Sequence, residues 1–177
     1  MAKRIAISGS AGVGKTTLAR RVAGRLGYPC LAEGMREYLE RTGADLHTLG
    51  HHGVRDLVLR LWEERREAEA RATGGFVADR SSVDYAAFWL YYRFPTPEDD
   101  TAERFAEWLA PGRYDHHFLL PWGVLPLVDD GVRTTDRWTQ LHVQLLIEGL
   151  QRTTTPTAVL VVATGLEERV DEVLRRL

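Results

Sequence analysis

Glycines at positions 9, 12 and 14, followed at once by Lys15 and Thr16, are residue types at a spacing that can grip a chain of phosphates. The segment Gly9-Ser10-Ala11-Gly12-Val13-Gly14-Lys15-Thr16 fits the pattern G-x-x-x-x-G-K-[ST] at every fixed position. Glycine permits backbone torsions that a side chain would block, so the N–H groups of residues 9–17 can converge on one anion. A helix opening at Thr16-Thr17 adds the positive end of its dipole. Lys15 would span the β- and γ-phosphates of ATP, and the Thr16 hydroxyl is placed for Mg²⁺. The alternative is a glycine-rich turn with an incidental lysine. It sits poorly with a chain whose 23 basic residues include only two lysines, Lys3 and Lys15.

Two carboxylates follow short apolar runs. Asp79 ends Phe76-Val77-Ala78 and could hold Mg²⁺ directly or through water; Arg80 comes next. The alternative for this pair is a helix-capping Asp beside a surface Arg. Glu33, after Leu31-Ala32, could take a proton from an acceptor hydroxyl or hold a sugar hydroxyl, or simply open a helix over Met35–Glu40. Either Glu33 or Asp79 is then the candidate base. Arg36 and Tyr38 are weaker candidates for substrate contacts in the same region.

Farther on, Arg133 and Arg137 lie in a segment that would cover a transferred phosphate and neutralise charge developing on it. Asp130-Gly131 is also a hairpin-turn signal, so a surface hairpin is the competing reading. Trp122 follows Pro121 and could stack on a planar ring or pack beneath that lid, which spans about residues 122–137. Ala163-Thr164-Gly165, after the last apolar run, is a candidate lining for adenine.

These groups need a scaffold that brings them to one edge. Short apolar runs at 5–8, 29–32, 76–79, 115–120 and 158–163 read as strands. The run at 158–163 has the strongest signature of a buried strand. Between them lie segments of helical periodicity. One is the stripe Val54, Leu57, Val58, Leu61 and Trp62, running into Glu63-Glu64-Arg65-Arg66-Glu67, which reads as a solvated helix face. Five alternations of strand and helix predict right-handed crossovers. The expected fold class is α/β: a three-layer α/β/α P-loop NTPase of the nucleoside- or nucleotide-kinase type. Its sheet should be five-stranded and parallel, with the strand before the phosphate loop central. In such sheets ligands sit beyond the carboxyl ends of the strands, where Asp79, Arg80 and Glu33 all fall.

Composition narrows the function classes. One domain over residues 1–177 is expected, and 44% hydrophobic with 27% charged residues is enough apolar matter for a core. A net charge of −2 argues against a nucleic-acid partner and against polynucleotide end phosphorylation. No apolar run reaches membrane-spanning length, and the start of the chain is no signal peptide. The lone Cys30 excludes a disulfide framework, so a cytoplasmic setting is expected. His51-His52 and His116-His117 are adjacent pairs whose side chains diverge, poor geometry for one metal ion. A homodimer is compatible with all of this.

No lysine follows residue 15, so the Asn-Lys-x-Asp segment by which GTPases read guanine is excluded; a Leu-Ser-Gly-Gly signature is absent as well. A compact phosphate-loop kinase remains, or an ATP-binding regulatory module that hydrolyses slowly without a small-molecule acceptor. Five weaker segments appear in order after the loop. They are Glu33-Gly34-Met35-Arg36-Glu37-Tyr38; Asp79-Arg80-Ser81 with Asp84; Tyr114-Asp115-His116-His117-Phe118-Leu119-Leu120; Asp130-Gly131-Val132-Arg133; and Glu168-Arg169-Val170. Together they resemble the ribosylnicotinamide kinase domain of bacterial NadR proteins and its stand-alone relatives among the AAA-family ATPases. The resemblance implies transfer of the γ-phosphate of ATP to a hydroxyl of a small molecule, such as the 5′-hydroxyl of a nucleoside.

Overall fold

The computed structural model describes residues 2–44, 48–94, 100–126 and 136–177, with backbone alone at 100–102. Within them β1 (Arg4–Ser8) leads into α1 (Lys15–Leu26), β2 (Cys30–Leu31), α2 (Met35–Thr42) and α3 (Gly50–Arg71). The chain continues through β3 (Phe76–Asp79), α4 (Ser82–Tyr91), α5 (Asp100–Trp108) and β4 (His116–Leu119). It closes with α6 (Arg137–Thr154), β5 (Val159–Leu160) and α7 (Leu166–Arg175). The strands form one sheet in the order β2-β3-β1-β4-β5, and every neighbouring pair is parallel. The expected five-stranded α/β/α fold is therefore present, with β1 central.

Register explains why the chemistry gathers at one edge. Ile7 lies opposite Asp79 of β3 and Phe118 of β4, so the loop after β1 and the residues after β3 leave the sheet at the same level. Side chains alternate across the sheet. Ile5, Ile7, Val77, Phe118 and Val161 pack with Leu18 and Val22 of α1 and with Val170 and Val173 of α7. Ala6, Phe76 and Ala78 face the other way. On that side Trp62, Tyr85, Trp89, Phe94 and Trp108 join α3, α4 and α5 in an aromatic core, with Trp62 and Trp108 edge to face at 6.2 Å.

Two sequence expectations are corrected. Arg65 is not on a solvated face: it is buried, and its guanidinium donates to the carbonyls of Ala32 (2.6 Å), Asp79 (2.8 Å) and Arg80 (3.0 Å). Arginine can occupy an apolar stripe when strand-end carbonyls satisfy its N–H groups. The run at 158–163 is not the most buried strand. Only Val159–Leu160 pair, at the sheet edge, and Leu160 and Val162 are 48% and 68% exposed. An edge strand has a neighbour on one side only, and a uniformly apolar run does not say which side that is.

Candidate nucleotide-binding site

The phosphate loop is held in shape from outside itself. Gly9 takes φ +139°, and a Cβ there would come within 2.9 Å of the Leu120 carbonyl, so only glycine fits. The Gly9 carbonyl accepts from Arg80 Nη1 at 3.2 Å. Gln144 Oε1 accepts from the Ser10 N–H at 2.8 Å, while Gln144 Nε2 donates to Leu120 and Glu148. Arg169 Nη1 donates to the Val13 carbonyl at 3.0 Å. Gly14, at φ +89°, hands the chain into α1 with no side-chain cap, which leaves the first N–H groups of that helix for a ligand.

Lys15, Thr16 and Asp79 meet beneath the loop. The Lys15 ammonium is buried and donates to the Ser10 carbonyl at 2.5 Å. Burial, and next the charge of Arg80, push its pKa down to about 7. Thr16 Oγ1 donates to Asp79 Oδ2 at 2.5 Å, whereas Asp79 Oδ1 is buried without a hydrogen-bond partner among the described residues. A hydroxyl beside a carboxylate with an oxygen to spare fits the oxygen-only, sparsely protein-ligated habit of Mg²⁺. Among the described residues no cluster of three metal-ligating side chains exists, so a cation would rely on Thr16, Asp79, water and nucleotide phosphate.

Glu33 and Arg80 form the second half of the site. Arg80 Nε donates to Glu33 Oε1 at 2.5 Å, and Nη1 lies 3.3 Å from Asp84 Oδ1. Arg80 is buried and sits at φ +79°, a strained conformation for a non-glycine residue. What over-determines it is the surround. The backbone N–H of Arg80 bonds the Ile7 carbonyl at 3.0 Å, and Phe88 lies 4.6 Å beneath its guanidinium. Burial opposes the Arg80 charge, but Glu33, Asp84 and Asp79 outweigh it and raise its pKa. Asp84 in turn accepts from Ser8 Oγ (2.5 Å), Ser81 N (3.0 Å) and Ser81 Oγ (2.8 Å), closing a capping box at the start of α4. Arg36 stands in the first turn of α2, after Gly34 at φ +84°.

Over the loop, Ala11, Gly12 and Val13 face Trp122, Gly123, Leu125, Pro126, Arg137 and Gln140 across a cleft of about 280 Å³. Arg137 lies between two indoles, 5.4 Å from the Trp122 ring and 5.0 Å from Trp138. A cation in the first turn of a helix is disfavoured by the dipole, and the rings offset this. Arg133 falls outside the described residues. The structure thus gathers Lys15, Thr16, Asp79, Glu33 and Arg80 at one edge, with Trp122 and Arg137 beside residues 11–13. Sequence reasoning gave Ser8 and Gln144 no role, read Arg65 as part of a solvated face, and named Asp84, His117 and Arg169 without a role. Ser81-x-x-Asp84 was a readable capping signature; for Gln144 no signal existed, because its partner is 134 residues away.

No curated protein matches the chain. Solved structures do match. A NadR protein in complex with NR is 22% identical at a TM-score of 0.73, covering 98% of this chain and 51% of its own. This chain therefore spans about half the length of that protein. Deoxyadenosine kinase from M. mycoides, with dCMP and dCDP bound, is 13% identical at a TM-score of 0.62, over 98% and 97% of the two chains. Shikimate kinase from Acinetobacter baumannii, in complex with shikimate, is 16% identical at 0.54, over 99% and 93%. At these identities the likeness is one of fold, and it agrees with the strand order and the central β1. Residues 4–169 match the AAA domain family, and with the phosphate loop, its Lys15–Thr16–Asp79 cluster and this fold, the chain belongs to that family.

Proposed function

We propose that this protein is an ATP-dependent kinase of a small molecule, transferring the γ-phosphate to a hydroxyl group of a nucleoside such as ribosylnicotinamide. The observation that carries the reading is the Glu33–Arg80 pair. A carboxylate outside the phosphate loop is fixed by a buried arginine whose other arm bonds Gly9 of that loop. A sensor that only binds nucleotide has no need of that second carboxylate. An enzyme that must deprotonate an acceptor beside the γ-phosphate does.

In this reading residues 9–17 hold the ATP phosphates, and Lys15 leaves the Ser10 carbonyl to span the β–γ bridge. Thr16 and Asp79 would hold a magnesium ion, which supplies charge neutralisation on the phosphates when bound. Glu33 takes the acceptor's proton as its oxygen bonds the γ-phosphorus and the bond to ADP breaks. Arg80 holds the Glu33 carboxylate in place through its Nε–H. Trp122 and Arg137, which border the cleft over residues 11–13, would face the ligand as part of a lid on a single kinase unit. Arg36, in the first turn of α2, would contact the acceptor. No helix among the described residues is long and apolar enough to cross a membrane.

ADP release tests this with and without nucleosides, sugars and other hydroxyl compounds. At least one nucleoside should raise turnover well above the water background. Turnover indifferent to every acceptor would favour the ATPase reading. Glu33→Gln should leave ATP affinity intact and reduce transfer by about 10²-fold or more; full transfer in that variant would remove Glu33 as the base.

A further inference from the structure

Arg169 of α7 is a buried arginine that pairs with no carboxylate among the described residues. It is 2% exposed, and burial is the one influence that moves its pKa, downward. Its contacts are instead two backbone carbonyls and one empty position. Nη1 donates to Val13 O at 3.0 Å, Nε donates to Ala163 O at 2.8 Å, and Nη2 is buried with no partner among the described residues. A guanidinium kept from water without a counter-charge is expensive, and stability alone would favour an apolar replacement. The two carbonyls it bridges belong to the phosphate loop and to the turn after β5, 150 residues apart in sequence.

We propose that Arg169 is a positioning residue that sets the Val13–Gly14 peptide for phosphate binding. The inference rests on the kinase reading above. A trans peptide carries its C=O and N–H on opposite sides. Drawing the Val13 carbonyl toward α7 therefore turns the Gly14 N–H away from α7, toward the space that residues 9–15 enclose. Gly14 holds φ +89°, and a Cβ on it would lie 3.2 Å from Arg169 Nη1 and 3.0 Å from Leu125 Cδ1. Both side chains crowd the position a Cβ would take, and glycine is what lets Arg169 approach. Without the guanidinium this peptide can flip, and a flipped peptide presents an oxygen, not an N–H, to the anion. The uncompensated positive charge adds to the field at the N-terminus of α1. Because Ala163 is anchored by the same side chain, the loop is referenced to the sheet edge through β5.

Binding of MgATP, MgGTP and magnesium tripolyphosphate to the wild type, Arg169→Met and Arg169→Lys, read by titration calorimetry, tests this. Arg169→Met should weaken all three by tenfold or more, with an unchanged ATP-to-GTP ratio, since the affected group is the shared phosphate tail. Arg169→Lys keeps the charge and one carbonyl bond and should fall between. Thermal unfolding with circular dichroism establishes that each variant is folded; if Arg169→Met is not, Arg169→Lys carries the comparison with the wild type. Wild-type affinity in a folded variant overturns the proposal. A loss confined to ATP and absent for tripolyphosphate also overturns it, by placing Arg169 on the base. A wild type that binds none of the three would overturn the kinase reading itself, a distinguishable result.

Discussion

Lys15 carries its charge into a place where water does not follow. With its ammonium buried against the Ser10 carbonyl and Arg80 nearby, its pKa falls to about 7 in the free protein. A bound triphosphate would raise it again toward the ordinary lysine range. The sign of the linkage follows. Below about pH 7 the ammonium is already charged and binding takes up no proton. Above it the free protein is largely neutral at this position, so nucleotide binding must be accompanied by proton uptake. Affinity should then fall by up to about tenfold per pH unit until the raised pKa is passed. Calorimetry of MgATP binding at about pH 8, in buffers of different ionisation enthalpy, should show on the order of one proton absorbed per nucleotide. Lys15→Ala should abolish that uptake along with tight binding. Proton-neutral binding at that pH would mean that Lys15 is charged before the ligand arrives.

Arg65 and Arg66 of α3 are neighbours with opposite duties, and they show what an element does that a residue list does not. Arg66 pairs with Glu63 at 2.7 Å on an exposed face, while Arg65 ties the end of β2 to the end of β3. Removing Arg65 strands the buried carbonyls of Asp79 and Arg80 and leaves that of Ala32 to water, so Arg65→Met should destabilise the fold by about 3 kcal/mol or more. Arg66→Met should change it by less than about 1 kcal/mol. Urea unfolding of the two variants makes the comparison, and equal midpoints would show that the strand-end clamp contributes nothing. The sequence held the clue in its spacing: Arg65 stands seven residues after Val58 and four after Leu61, in line with the buried stripe. Its charge and its charged neighbours masked that position. The positions of the phosphate loop, Asp79 and Glu33 at the strand ends were legible because they depend on local order along the chain. Gln144 was not, since its bond to Ser10 exists only once α6 packs behind the loop. The same holds for the exposure of Val162, which is decided by the absence of a strand beyond β5 among the described residues.

At the scale of the whole molecule, one buried polar network crosses the sheet between β1, β4, α4 and α6. Ser8 Oγ lies 2.7 Å from His117 Nε2, and Gln151 Nε2 lies 2.8 Å from the same nitrogen. Ser8 also donates to Asp84, the carboxylate that helps hold Arg80. Burial pushes the His117 pKa down to about 4 from an ordinary 6.5, with the Asp84 charge opposing that shift only partly. The folded protein therefore keeps this imidazole neutral where the unfolded chain would protonate it. Between those two values the unfolded state binds more protons, so stability rises with pH and is lost on acidification. The loss attributable to His117 is roughly 3 kcal/mol, a large share of the 5–15 kcal/mol that holds an ordinary domain together. Because the network touches the base of the phosphate loop through Ser8 and Asp84, protonation should loosen the nucleotide site and the α4–α6 packing in one transition. Urea unfolding at a series of pH values should show the midpoint falling steeply from about pH 6.5 to about pH 4. His117→Gln, which keeps a neutral hydrogen-bonding group there, should be somewhat less stable at neutral pH and show a shallower acid limb. Parallel acid limbs for the two proteins would mean that His117 is not the group whose protonation unlocks the fold.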